Sequence, residues 1–170
     1  MAMVWACLHP APLHAQESLE YRVKAAFLYN FTKFVGWPKE AFETVDTPLS
    51  LCVAGENPFG GVLEDMLHDR TAQGRVLLLR LGDDVGDPQT CQVVFVPRTE
   101  DDRVAQILQK TRGRGVLTVG ESQAFADAGG MIRLVLEDKK VRFDVNVSRA
   151  GEDGLKVSSQ LLKLARSVSQ

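Results

Sequence analysis

Residues Glu17 to Gln170 offer little for chemistry: two cysteines, one histidine and scattered carboxylates. Cys52 and Cys91 lie neither in a CxxC nor beside a histidine, which argues against a zinc or thioredoxin-like role. In an exported chain the pair would close a disulfide contributing about 3 to 4 kcal/mol through the unfolded state. In a reducing compartment it would be two buried thiols. His68, in MLHDRT, falls on the outer arc of a short helix, so a triad or dyad has no well-placed base and a histidine-rich metal site is excluded by count. Asp83, Asp84 and Asp87 in GDDVGDP lack the loop spacing of an EF-hand and read as a polar turn. No metal site, cofactor or catalytic constellation is expected, and a hydrolase is the least favoured class.

The positions better placed for binding are the turns that follow apolar strands, where open α/β sheets hold their ligands. These are AGENPFG, PRT and GESQ, and they make Glu56, Asn57, Arg98, Glu121 and Ser122 the candidate ligand crevice. Each turn leads toward a helix, so backbone N–H groups could converge on an anion or small polar molecule. Structural turns and caps are the plainer reading, and neither GxGxxG nor GxxxxGK[ST] occurs.

The elements that must position these turns follow from hydrophobic periodicity. Leu19, Val23, Phe27, Phe31, Phe34 and Val35 recur at helical spacing from Glu17 to Val35, and Gly36 and Pro38 stop the helix. Lys24 falls on another arc. LSLCVAG, VLLLRL, CQVVFVP and GVLTVG read as buried strands. Between them NPFGGVLEDMLHDR has Asn57 as N-cap and Pro58 at the first helical position, and TEDDRVAQILQKTR has Thr99 as N-cap; ESQAFADAGG is a short helix. MIRLVLED and VRFDVNVS alternate around DKK as an antiparallel hairpin. LKVSSQLLKLARSV closes the chain as an amphipathic helix with Leu155, Val157, Leu161, Leu162 and Leu164 or Ala165 inward. The fold class is therefore α/β: a mainly parallel sheet of about five to six strands, helices on both faces, and an antiparallel edge hairpin near the C-terminus.

With 170 residues, 45% hydrophobic and 25% charged, the chain fits one globular domain. Its formal charge of -2 is well mixed, which argues against nucleic acid. Residues 1–16 contain no Lys, Arg, Asp or Glu and read as a signal-like leader, without a positive n-region, preceding a 17–170 domain. Cys7 belongs to that leader. No run reaches the roughly 18 apolar residues that span a bilayer. FLYNFTKFVGWP, although aromatic, is interrupted by Asn30, Thr32 and Lys33 and reads as a core helix. Tyr29 and Trp37 fall off its stripe and, with Phe59 and Arg142, are candidate partner contacts.

VKAAFLYNFTKFVGWP, AGENPFG, VGESQAFADAGGMIRLVLEDKKVRFDVNVSRA and GLKVSSQLLKLA, in this order from about Glu20 to Ala165, closely resemble the YfiR family of bacterial periplasmic proteins. The resemblance implies a regulator rather than an enzyme: a repressor that binds the periplasmic domain of an inner-membrane GGDEF protein, a YfiN-type diguanylate cyclase, and keeps cyclic di-GMP low. It implies relief of repression by redox or envelope stress and by an outer-membrane lipoprotein, with biofilm as the output; a homodimer is a further candidate assembly. By order and spacing Cys52 and Cys91 match one family disulfide, and a second pair known in some members has no counterpart here. The competing expectation is a periplasmic small-ligand-binding module serving a sensor kinase or another signalling protein.

Overall fold

The computed structural model describes residues 13–82 and 90–170. In chain order the elements are α1 (Leu13–Phe34), β1 (Val35–Gly36), a 3-10 turn (Lys39–Ala41), β2 (Leu49–Ala54), α2 (Val62–Leu67), β3 (Thr71–Ala72), β4 (Arg75–Gly82) and β5 (Val93–Val96). A 3-10 helix (Arg98–Arg103) leads into α3 (Val104–Thr111), β6 (Leu117–Gly120), α4 (Gln123–Asp127), β7 (Ile132–Glu137) and β8 (Lys140–Asn146). The chain ends with α5 (Val147–Glu152), β9 (Lys156–Val157), α6 (Ser159–Leu164) and β10 (Ser167–Ser169).

The main sheet has the order β10-β8-β7-β6-β5-β2-β4-β3, and β1 pairs with β9 in a separate two-stranded ribbon. Strands β4, β2, β5, β6 and β7 run parallel, β8 turns back on β7, and β3 lies antiparallel to β4. The α/β class, the parallel centre and the C-terminal hairpin agree with the sequence reading. There are more strands than expected, because β3 and β10, of two and three residues, extend the sheet at its two ends. The hairpin is consequently not the outermost element: β10 adds in parallel to its β8 strand.

Alternation along the central strands makes two cores. Leu51, Val53, Val93, Phe95, Leu117 and Val119 face α1 and α2, within the larger cluster. Cys52, Ala54, Val94 and Val96 face the other way, with Val104, Ile107, Leu108 and Phe125 of α3 and α4. Both faces of these strands are buried, which is why they read as near-continuous apolar runs, interrupted only by the buried Ser50, Gln92 and Thr118. VLLLRL differs. Leu77 is buried under α2, but Val76, Leu78 and Leu81 are exposed, since β4 lies next to the edge and only one of its faces has a helix packed on it.

Helix α1 begins earlier than expected and contains no Gly or Pro to interrupt it. Its buried arc is Lys24, Ala25, Leu28, Phe31 and Thr32, continued by Val35 of β1, and it is rotated from the stripe that periodicity suggested. Leu19 and Val23 are exposed, and Phe27 and Phe34 are half-buried. Three further boundaries shift for local reasons. Asn57 caps no helix; its side chain accepts from Phe59 N–H (3.0 Å) and donates to Gly60 O (3.0 Å), and α2 starts later, after Gly61. Thr99 lies inside a 3-10 helix that follows Pro97 rather than capping an α-helix. The expected terminal helix is three elements, in which β9 pairs with β1, Ser158 caps α6 by accepting from Leu161 N–H, and Leu164 faces solvent.

Candidate functional site

Numbered only among themselves, the five parallel strands follow the order 2-1-3-4-5, with the reversal between β2 and β5. Ligands of open α/β sheets bind outside the carboxyl ends of strands at such a switch point. A cleft of about 380 Å³ lies there, lined by Glu17, Ser18, Tyr21, Glu56, Pro58, Pro97, Arg98, Thr99 and Glu121.

Three of the five expected crevice residues, Glu56, Arg98 and Glu121, line this cleft. The other two turn into the local backbone: Asn57 holds its turn, and the Ser122 hydroxyl accepts from Phe125 N–H at 3.0 Å as the N-cap of α4. The α1 wall, including Tyr21, was not anticipated. Its sequence signal was the Glu20/Lys24 pair, spaced i,i+4, but spacing alone did not say that the pair would be buried.

Nor do three helix N-termini converge on an open anion site. The N–H of Arg98 is spent on Glu121 Oε1 at 3.0 Å, and the Tyr21 hydroxyl donates to the same oxygen at 3.1 Å. Lys24 Nζ pairs with Glu121 Oε2 and with Glu20. The side chains of Lys24 and Glu121 are each 2% exposed. The protein's own carboxylate thus occupies the place an anionic ligand would take, and its charge is balanced by a lysine from α1. Burial first, then the charge of Glu121 and the hydrogen bond to it, push the Tyr21 phenol well above its ordinary range, with the nearby Arg98 opposing. Over this floor, the exposed Arg98 guanidinium makes no ion pair among the described residues, and Glu56 stands on the same rim. The cleft can offer a ligand one cation and the rim carboxylates Glu17 and Glu56.

The expected partner-contact residues are placed unevenly. Phe59 is 3% exposed and stacks edge-on with Tyr21 and Phe95, so it is core. Tyr29 is half-buried beneath the Arg70 guanidinium, 4.9 Å from the ring centre. Trp37 is half-buried and donates Nε1–H to Gln92 O at 3.1 Å. Arg142 is exposed on β8.

Cys52 and Cys91 form a disulfide inside the α3/α4 core, 1% and 2% exposed, with Cα atoms 5.8 Å apart. His68 is 74% exposed and lies 3.0 Å from Asp69. Asp83, Asp84 and Asp87 lie outside the described residues, as does most of the leader. Among the described residues no group of three or more His, Cys, Asp or Glu could hold a metal ion, and no helix is long and apolar enough to cross a membrane.

Fold and cleft define the class: an α/β protein with an open, mostly parallel sheet and a crevice at its switch point, without a phosphate-binding fingerprint. Residues 21–166 match the YfiR/HmsC-like family, and the chain belongs to that family. Among solved structures it is similar to a conserved domain protein from Vibrio cholerae O1 biovar El Tor, at 11% identity and TM-score 0.54, over 88% of this chain and 60% of that one. It is also similar to an ABC domain in complex with L-Trp from Streptococcus pneumonia, at 11% identity and TM-score 0.50, over 76% of this chain and 57% of that one. The chain thus spans roughly three-fifths of each of these two solved structures, and at this identity the likeness concerns the fold.

Proposed function

We propose that this protein is a periplasmic regulator, not an enzyme, that binds and represses a membrane-bound diguanylate cyclase, lowering cyclic di-GMP according to the state of the envelope. The observation that carries the reading is the YfiR/HmsC-like match across residues 21–166. The charge-free leader and a disulfide buried in the core are consistent with export to an oxidising compartment. In this reading residues 17–170 act as one domain, and the periplasmic domain of an inner-membrane GGDEF protein is the partner, with an outer-membrane lipoprotein able to sequester the repressor.

Deletion of the gene with measurement of cellular cyclic di-GMP tests it. A rise on deletion, reversed by the exported protein, is expected; an unchanged level under both oxidising and reducing conditions would sink the reading.

The switch-point cleft favours a second reading, a small-ligand-binding module serving a sensor kinase. Arg98 and Glu56 over the Glu121 floor would receive a small polar molecule. A thermal-shift screen of periplasmic metabolites separates the two, because a ligand at 100 times its Kd raises stability by roughly 2.7 kcal/mol. An Arg98→Ala variant should lose that response.

A further inference from the structure

Strand β6 has Glu121 of the cleft just past its carboxyl end and the loop 112–115 just before its amino end. Two other segments close on that loop. A β-carbon at Gly115 would stand 3.1 Å from Pro38 Cγ, and one at Gly154 would stand 3.5 Å from the same atom. Gly113 N–H donates to Asp153 Oδ1 at 3.0 Å, and Lys156 pairs with Gly36 across the β1–β9 ribbon. Residues 36–41, 110–115 and 149–156 therefore form one surface, at the end of the sheet opposite the cleft.

That surface is basic. Lys39, Lys110, Arg112, Arg114 and Lys156 are all exposed, and none of them makes an ion pair among the described residues. On the same three segments Asp153 is buried and held by Arg149, and Glu152 also pairs with Arg149, which leaves Glu40 as the one acid against five cations. Glu43 and Asp46 lie farther along, on a loop whose carbonyls at Thr44, Val45 and Thr47 accept from Arg75 at the start of β4. The formal charge of the whole chain is -2, so the excess is local.

The five side chains are long, stand on separate turns and do not line the switch-point cleft. A pocketed ligand or a protein partner demands charges at fixed positions, whereas an anionic bilayer, whose lipids move laterally, meets each cation where it stands. Trp37, half-buried on the first segment, adds the ring type enriched at membrane–water boundaries.

We propose that the basic surface around Pro38 and Arg114 docks the protein peripherally on an anionic phospholipid bilayer, with the switch-point cleft turned away from the lipid. The proposal goes beyond the repressor reading and does not depend on which membrane protein is bound.

Co-sedimentation of the full chain with vesicles of phosphatidylcholine, with and without phosphatidylglycerol, tests it. Binding is expected only where phosphatidylglycerol is present and should weaken as salt is raised, because exposed charges are screened. Arg112→Ala with Arg114→Ala should lower the partition coefficient about thirtyfold, roughly fivefold for each cation lost, whereas Arg112→Lys with Arg114→Lys should keep most of it. Lys139→Ala with Lys140→Ala removes the same charge from the exposed tip of the β7–β8 hairpin, beyond the carboxyl end of β7, and should change binding little. Thermal unfolding of each variant checks that the fold persists, and Lys39→Ala with Lys156→Ala, on the other two segments, should reproduce the loss if the arginine variant unfolds. A chain that ignores phosphatidylglycerol overturns the proposal. So does an equal loss from the arginine and hairpin-lysine pairs, which would mark an attraction without a site, and so does a full loss on the lysine replacements of Arg112 and Arg114, which would mark a stereospecific anion site instead of a lipid surface.

Discussion

Lys24 of α1 and Glu121, just past the end of β6, meet as a buried ion pair across 97 residues of sequence. The pair ties the first helix to the carboxyl end of the sheet and forms the floor of the switch-point cleft. Removing both ions from water is costly, and here the compensation is dense: Glu121 also accepts from Tyr21 and from the Arg98 backbone, while Lys24 also reaches Glu20. A pair so completely partnered binds no ligand itself; it fixes the position of the groups that could.

Breaking one side of this pair should therefore be worse than neutralising both. Lys24→Met leaves a buried carboxylate without its cation and should cost about 3 to 5 kcal/mol, read from urea unfolding. The double variant with Glu121→Gln, which keeps acceptors for Tyr21 and Arg98, should be less damaging than the two single losses added together. Strict additivity would mean that the two charges do not sense each other.

Asp144 sets an acid limit at the other end of the sheet. Partial burial alone would raise its pKa, but hydrogen bonds from Arg166, Ser167 and Arg133 override this and bring it from 3.8 to about 2. A depressed carboxylate stabilises the fold fully above its unfolded value and loses that contribution as pH falls through the interval from 3.8 to about 2. Wild type and Asp144→Asn should therefore differ by on the order of 1 to 2 kcal/mol near pH 6, after allowing for solvent screening, and converge near pH 2. Because Arg166 leads into β10, hydrogen exchange at Val168 should rise over the same interval.

The Cys52–Cys91 bridge should behave as a staple. It spans a sequence separation of 39 and lies inside a core, so replacing both cysteines by Ala should cost about 3 to 4 kcal/mol. Mild dithiothreitol should reduce it slowly in the native state and quickly in denaturant, followed by thiol alkylation and mass spectrometry. Fast reduction of the folded protein would instead mark the bridge as redox-accessible.

Phe125 is fully buried between Gly120 and Gly130, and a β-carbon at either glycine would overlap its ring. Gly130→Ala should destabilise by about 1 to 3 kcal/mol through overpacking. Trimming the ring with Phe125→Leu should recover part of that loss in the double variant; no recovery would locate the strain in the backbone.

Much of the sheet was legible because burial on both faces leaves a one-dimensional mark. LSLCVAG, CQVVFVP and GVLTVG are apolar except for one buried polar residue each, Ser50, Gln92 and Thr118, and they are the three central strands. VLLLRL carries the same mark yet is half exposed, since a run of leucines does not state how far its strand lies from the edge. The turns at the strand ends were legible as places but not as a site. Glu56, Arg98 and Glu121 reached the cleft, whereas Asn57 and Ser122 were taken up by their own backbone, because short polar side chains bond locally as readily as they bind a ligand.

By itself, the sequence determined the α/β alternation, the parallel centre, the C-terminal hairpin and the family, since each of these is written in local periodicity or in contiguous motifs. The tertiary structure alone decided the rotation of α1, and with it the burial of Lys24 against Glu121 and the exposure of Leu19 and Val23. Helical spacing fixes which residues share a face, but which face turns inward depends on the partners that burial offers, and Lys24 found its carboxylate 97 residues away.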